Sequence, residues 1–358
     1  MRIRLNNNTG NTVKHILILA IAAFCLIMAQ DDFFEPGYSI GGYGELHYNR
    51  AQTGDDEATT TLDFHRFIIY YGYNWTENWS FKSEVELEHN FVADGQGELE
   101  LEQAFVNYHS YRFGMQVGVI LPSVGLINEY HEPPLFVSVE RPDYSKYVIP
   151  TTWFGNGFSL YGSISGINWR VAILEDMDGE NIGAGIRSGR GKGYKTTAYD
   201  FVKNFSLNYT EFPGLRVGGS YTIHNAPIDN NPDSTVSFGL SEFNLKYYAK
   251  NIYAVLEYGN ISYENNPDDY TSSGGYYLDL GYNVAGLVGL EGKLMPWFRY
   301  SDYNSGNDDK GRHYTIQRFG LTYWPISNIA FKFDYGSHKK ESDEASKTQI
   351  NVGVGYNF

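Results

Sequence analysis

Three features predict an all-β fold, a transmembrane antiparallel up-and-down β-barrel of about 16 strands. Apolar and polar residues alternate with a period of two again and again from Tyr38 to Phe358. The connections between the alternating segments are short and long by turns. The composition, with 31 Tyr, 22 Phe and 39 Gly, is nevertheless polar on average. A membrane protein built of helices would carry several apolar runs of about 20 residues. This chain has one, residues 16–28, at its N-terminus. In a barrel every second strand residue faces water, which accounts for both the polarity and the aromatic content.

The N-terminal segment reads as a secretory signal. Arg2, Arg4, Lys14 and His15 form a basic region around the start of the apolar run, which is short for a membrane anchor. Cleavage is expected after Ala29, leaving a short lead over residues 30–37 and a barrel over 38–358. The cut removes Cys25, the one cysteine, in keeping with an oxidising periplasm. It also removes Arg2, Arg4 and Lys14 with no acidic residue, so the formal net charge moves from -15 to about -18. Such an acidic surface excludes nucleic acid as a partner.

Residues 80–91 show the strand pattern most clearly. Phe81, Val85, Leu87 and Phe91 share one face, and Lys82, Glu84, Glu86, Glu88 and Asn90 the other. A soluble sandwich could use such a strand, so the connections decide. Tight turns are expected at residues 75–78, 109–111, 165–166, 212–214, 250–251 and 325–328. Longer loops are expected at 52–60, 121–156, 176–200, 225–235, 265–273, 304–312 and 339–345, with a short loop at 93–98 breaking the trend. Periplasmic turns and extracellular loops produce this asymmetry. Residues 284–292 are the least regular stretch. Because lipid satisfies no backbone N–H or C=O, the sheet has to close.

The last strand alternates Thr348, Ile350, Val352, Val354, Tyr356 and Phe358 with Gln349, Asn351, Gly353, Gly355 and Asn357. A terminal strand ending in Tyr356-Asn357-Phe358 resembles the signal that barrel-assembly machinery recognises in outer-membrane proteins. Outer-membrane lipid of a Gram-negative bacterium is then the surrounding medium. Tyr70, Tyr71, Tyr73, Trp75, Trp79, Tyr108, Tyr111, Tyr323 and Trp324 cluster at strand ends, where aromatic girdles would lie.

A 16-stranded barrel is too wide for side chains to fill and leaves an aqueous channel unless something folds inside. The third long loop, residues 121–156, is the candidate: it is apolar, stiffened by proline and lightly charged. Long ordered loops are usually functional. Its constriction residues are expected to be Asn128, Glu129, His131, Glu132, Arg141 and Trp153. Alternation points Lys82, Glu84, Glu86 and Glu88 toward the lumen, and Arg66, Arg170, Arg299 and Arg318 as well, because a charge on the lipid face costs about 2–4 kcal/mol near the midplane. Acidic and basic rows on different walls would set up a transverse field. Arg187, Arg190, Lys192 and Lys195 form a basic cluster in the next long loop.

These segments carry a resemblance. Glu102-Gln103-Ala104-Phe105-Val106, Gly118-Val119-Ile120-Leu121-Pro122, Gly125-Leu126-Ile127-Asn128-Glu129, His131-Glu132-Pro133-Pro134, Glu140-Arg141-Pro142 and Ile149-Pro150-Thr151-Thr152-Trp153 resemble the porins related to the phosphate-selective O and P type. So does Ile186-Arg187-Ser188-Gly189-Arg190-Gly191-Lys192-Gly193. The likeness is specific over residues 102–195 and generic elsewhere. It implies a 16-stranded, trimeric porin with loops folded into the lumen. Phosphate specificity is not carried over, because anion selectivity needs a positive constriction and the chain is strongly acidic.

The function expected is therefore a water-filled pore for passive, weakly selective diffusion of small polar solutes or ions. The alternatives are a binding or adhesion barrel using residues 176–200, or a dedicated transporter with a plugged lumen. No catalytic role is expected, since no Gly-x-Ser-x-Gly run is present and His47, His65, His89 and His131 have no suggestive serine neighbour. No cofactor or metal is assigned; His131 beside Glu129 and Glu132 reads as a structural loop histidine.

Overall fold

The computed structural model describes residues 34–93 and 95–358; the expected signal, residues 1–29, lies outside them. Sixteen strands follow one another: β1 (Gly37–Thr53), β2 (Thr59–Asn74), β3 (Trp79–Glu88), β4 (Leu99–His109), β5 (Phe113–Ile120), β6 (Gly155–Ile164), β7 (Ile167–Leu174) and β8 (Val202–Tyr209). The second half comprises β9 (Leu215–Ile228), β10 (Asn231–Ala249), β11 (Ile252–Glu264), β12 (Ser272–Tyr282), β13 (Lys293–Asn304), β14 (His313–Ile326), β15 (Ile329–Lys340) and β16 (Lys347–Asn357). Each strand pairs with its sequence neighbours, and β1 pairs antiparallel with β16 to close the barrel. The Gly42 N–H donates to the Phe358 carbonyl at 3.0 Å and the Phe358 N–H returns to the Gly42 carbonyl at 2.9 Å. The C-terminal residue thus extends the seam, leaving no open edge.

The wall is apolar outside and polar inside. On β15, Phe331, Phe333 and Tyr335 are exposed, while Ala330, Lys332 and Asp334 between them are buried. Phe319 and Leu321 alternate in the same way with Arg318 and Thr322 on β14, and Phe205 and Leu207 with Asn204 and Ser206 on β8. A water-soluble protein has the opposite arrangement, and a wall facing hydrocarbon has this one.

Several boundaries differ from expectation. Residues 225–235 are not a long loop: β9 and β10 run on to a two-residue turn at Asp229 and Asn230, with φ of 54° and 55°. Two consecutive residues with positive φ match the twist of a tight hairpin. Strand β3 stops at Glu88 rather than Phe91, because His89 and Asn90 are left-handed, at φ 57° and 64°. Trp75, Trp79 and Tyr111 are exposed at the short-turn end, as a girdle requires. Tyr70 and Trp324 instead point inward, where their polar atoms bond Glu132 and the Pro134 carbonyl.

Candidate functional site

The connection between β5 and β6 carries two short helices, α1 (Gly125–Glu129) and α2 (Tyr144–Tyr147). Its polar groups find partners on strands all round the wall. Near its start the Ser123 N–H donates to Asn204 on β8 at 3.2 Å, and the Leu126 N–H to Glu257 on β11 at 3.3 Å. Gly125 sits at φ +69°, where a Cβ would stand 2.3 Å from the Glu257 carboxylate. Glycine alone fits that approach. Further on, Lys332 of β15 donates to the Pro133 and Ser138 carbonyls, both at 2.7 Å. The Val139 N–H donates to Asp334 at 2.8 Å. A Cβ on Gly355 of β16 would lie 2.4 Å from Pro133, so the glycine makes room for the segment.

The expected constriction residues fall into separate roles. Asn128 is fully buried and closes the segment on itself, donating to the Pro122 and Trp153 carbonyls and accepting from the Trp153 N–H at 2.7 Å. Trp153 is likewise buried in the apolar cluster with Leu126, Val148 and Ile149, packed against wall residues such as Leu174, Val255 and Ile261. Glu129 accepts from Ser123 at 2.6 Å and faces Arg170 and Arg216 at 3.5 and 3.4 Å. Glu132 accepts from Tyr70 and Asn357.

His131 also ties the segment to the wall. Its Nε2 lies 3.3 Å from Glu84 and 3.4 Å from Glu102, and its Nδ1 lies 3.1 Å from the Asn128 carbonyl. Burial alone would lower its pKa, but the bonds to Glu102 and Glu84 overcome that and push it up to about 10. The imidazole is therefore a cation between two carboxylates. Nearby, burial works to raise the Glu140 carboxyl, yet the hydrogen bond from His47 holds it down at about 2. Arg141 differs from all of these: its Nε and Nη2 have no hydrogen-bond partner among the described residues.

Of the wall charges expected to line the lumen, Arg66, Glu84, Glu86, Arg299 and Arg318 are buried, and the three arginines pair locally with carboxylates. Arg66 sits between Glu45 at 2.8 Å and Glu86 at 3.3 Å, within the acidic region itself. Arg299 grips Asp279 with two bonds of 2.6 and 2.7 Å, and Arg318 bonds Asp334 at 2.5 Å. Each of these arginines takes a carboxylate from an adjacent strand, which offsets desolvation locally. Lys82 and Glu88 line cavities at opposite ends.

The basic cluster of the next loop is also dispersed. Arg187 and Arg190 donate to the carbonyls of Thr151 and Thr152, clamping one loop on the other. Burial and its neighbour Arg187 bring the Arg190 guanidinium down to about 9. Lys192 pairs with Glu98 at 2.8 Å and with Glu100. Lys195 stands over the Tyr194 ring. Sequence reasoning missed Lys332, Asp334 and Asp279, although each alternates with outward apolar residues and the same rule finds them; it also missed Glu102, which sits at a bulge in the pairing of β3 with β4.

Cavities lie on either side of the segment. One of about 730 Å³ opens at the long-loop end, and others of about 560 and 460 Å³ lie at the short-turn end. A smaller one of about 230 Å³ shares Phe136 with the first and Tyr130 and Arg216 with the last. Seven lysines and arginines and five carboxylates line the 730 Å³ cavity. Its base exceeds its acid in a chain of formal net charge -15.

No family model matches the sequence. An uncharacterized protein of Aquifex aeolicus (strain VF5) is 32% identical over 329 residues, spanning 84% of this chain and 75% of that protein. The chain belongs to that protein's family. Among solved structures, Salmonella typhi OmpF in complex with daunomycin superposes with a TM-score of 0.65 at 14% identity, over 90% of this chain and 97% of that one. The anion-selective porin from Comamonas acidovorans gives 0.63 at 11% identity, over 90% of this chain and 100% of that one. The outer membrane channel DcaP of Acinetobacter baumannii gives 0.59 at 10% identity, over 90% and 97%. At these identities the likeness establishes a porin-like fold. It assigns neither solute nor selectivity.

Proposed function

We propose that this chain is an outer-membrane porin, a passive pore for small polar solutes or ions, with residues 121–154 narrowing its lumen. The observation that carries the reading is the closed sixteen-stranded wall, apolar outside and charged inside, with cavities on either side of the β5–β6 segment. Nothing in this reading involves catalysis. The surplus of base at the long-loop end, with Arg141 unengaged, favours weak anion preference. Phosphate specificity does not follow, since Arg187 and Arg190 are spent on loop carbonyls. Assembly as a homotrimer accords with the trimer form of Vibrio cholerae OmpT, a structural neighbour at 13% identity and a TM-score of 0.57.

A second reading has specific support. The apolar packing of Leu126, Val148, Ile149 and Trp153 on the inner wall dries part of the bore, as a plugged transporter or binding barrel would require. Planar-bilayer conductance separates the two, for a plugged barrel passes no steady current. Reversal potential in a salt gradient then tests selectivity. Weak anion preference is expected, lost in Arg141→Ala and increased in Glu129→Ala. An unchanged reversal potential in both variants would place the segment outside the constriction.

A further inference from the structure

A cluster of histidines at the long-loop end of β1 to β3 takes no part in the contacts above. Asp63, His65 and His89 bring one ligand atom each to within 4.8 Å of one another. The His65 Nδ1 lies 3.1 Å from Asp63 Oδ2, and the His89 Nδ1 lies 2.9 Å from the same oxygen. Two separate irregularities of the backbone produce this meeting. In the pairing of β1 with β2, Glu45 faces Arg66 and Leu46 faces Phe64, so His65 is the extra residue of a bulge. A bulge re-aims a side chain, here turning His65 to the same side as Arg66. His89 then ends β3 in the left-handed region at φ 57°, an uncommon conformation for a residue with a Cβ, and its N–H donates to the His65 carbonyl at 3.2 Å.

We infer that Asp63, His65 and His89 form a binding site for a divalent transition-metal ion. Two imidazole nitrogens and one carboxylate oxygen are the donors that zinc-type ions take, at about 2.0–2.2 Å, with a fourth position left for water. Observed separations of 2.9 and 3.1 Å need only a small opening of the ligands around such an ion. Imidazole donors favour Zn²⁺, Ni²⁺ or Cu²⁺ over Mg²⁺ and Ca²⁺, which prefer oxygen. The ligands are partly exposed, with side-chain accessibilities of 30%, 23% and 44%, so an ion reaches them from solvent. Behind them His47 stacks on His65 at 5.1 Å and is itself held by Glu45 and Glu140, each at 3.0 Å. That arrangement orients the His65 ring as outer-shell partners orient metal ligands.

The test uses the barrel without a polyhistidine tag, folded in detergent and titrated with Zn²⁺, the bound metal being counted by elemental analysis after desalting. One Zn²⁺ per chain is expected. Separate His65→Ala, His89→Ala and Asp63→Asn variants should each weaken binding at least ~10-fold, the range seen for lost outer-shell partners. His47→Gln should weaken it less. Co²⁺ in place of Zn²⁺ should give the visible absorption of a four-coordinate N/O site. Folded wild-type barrel that retains no Zn²⁺, or variants that retain as much as wild type, would overturn the assignment. The wild-type result needs no variant to fold and no pore to conduct.

Discussion

Replacing His131 by glutamine removes the cation that ties the β5–β6 segment to Glu84 and Glu102. The folded pKa of about 10, against 6.5 for a free imidazole, corresponds to at most about 5 kcal/mol of differential stabilisation. Losing one partner of a buried ion pair costs about 3–5 kcal/mol, so the two figures agree in scale. The sign follows from the direction of the shift. A raised pKa stabilises the docked segment fully below pH 6.5, and that contribution fades as pH climbs through about 10. Local opening of the segment should accordingly be rare in neutral solution and rise by about three orders of magnitude in the variant. Two assays read this: current noise through single channels from pH 6 to 11, and protease cleavage at Lys146 on α2. Wild type should be quiet and resistant near pH 6.5 and become steadily noisier and more labile as pH climbs to about 10, while His131→Gln should be noisy and labile throughout. If variant and wild type match in both assays at every pH, the imidazolium does not hold the segment.

Two other outcomes follow from the same geometry. Phe136→Ala should raise single-channel conductance, because Phe136 separates the 730 Å³ cavity from the 230 Å³ one and its ring lies 3.8 Å under the Lys332 ammonium; unchanged conductance would mean that ions take another route. Phe333→Arg, on the outer face of β15, should destabilise the barrel in lipid by about 2–4 kcal/mol in denaturant titration, and an effect near zero would argue against that face meeting hydrocarbon.

The barrel was legible because its signal is redundant. Sixteen strands repeat one period, and an error of a few residues at any end leaves the parity of the rest intact. Where the reading failed, the local chemistry was ambiguous. Residues 225–235 are polar enough to be a loop, but Asp229 and Asn230 alone tolerate the turn, and hydrogen bonding carries both flanks on as strand. His65 was beyond reach for a different reason. Counting back from Arg66 sets it outside the wall, and only the bulge, invisible in composition, turns it in. Alternation singled out the wall arginines, yet their partners depend on register between strands, which a single sequence does not specify. Asp279 opposite Arg299 on β12, and Asp334 two residues off register from Arg318, are examples.

Pairing across strands also gives the β5–β6 segment a structural role beyond the narrowing proposed for it. Arg299 spends two of its bonds on Asp279 and offers a third to Ser138 at 2.8 Å. Lys332, buried at 4% exposure, bonds two backbone carbonyls of the segment and stands over Phe136. The Trp324 and Thr322 side chains donate to the Pro134 and Val137 carbonyls. An irregular segment needs partners for its carbonyls, and an inward lysine needs acceptors; an unmet group of either kind costs about 1–3 kcal/mol or more. Each therefore satisfies the other. Cutting the segment away would not simply widen the bore. It would leave Lys332 without its two acceptors and free one bond of Arg299 and the donors of Thr322 and Trp324, drawing water to β13, β14 and β15.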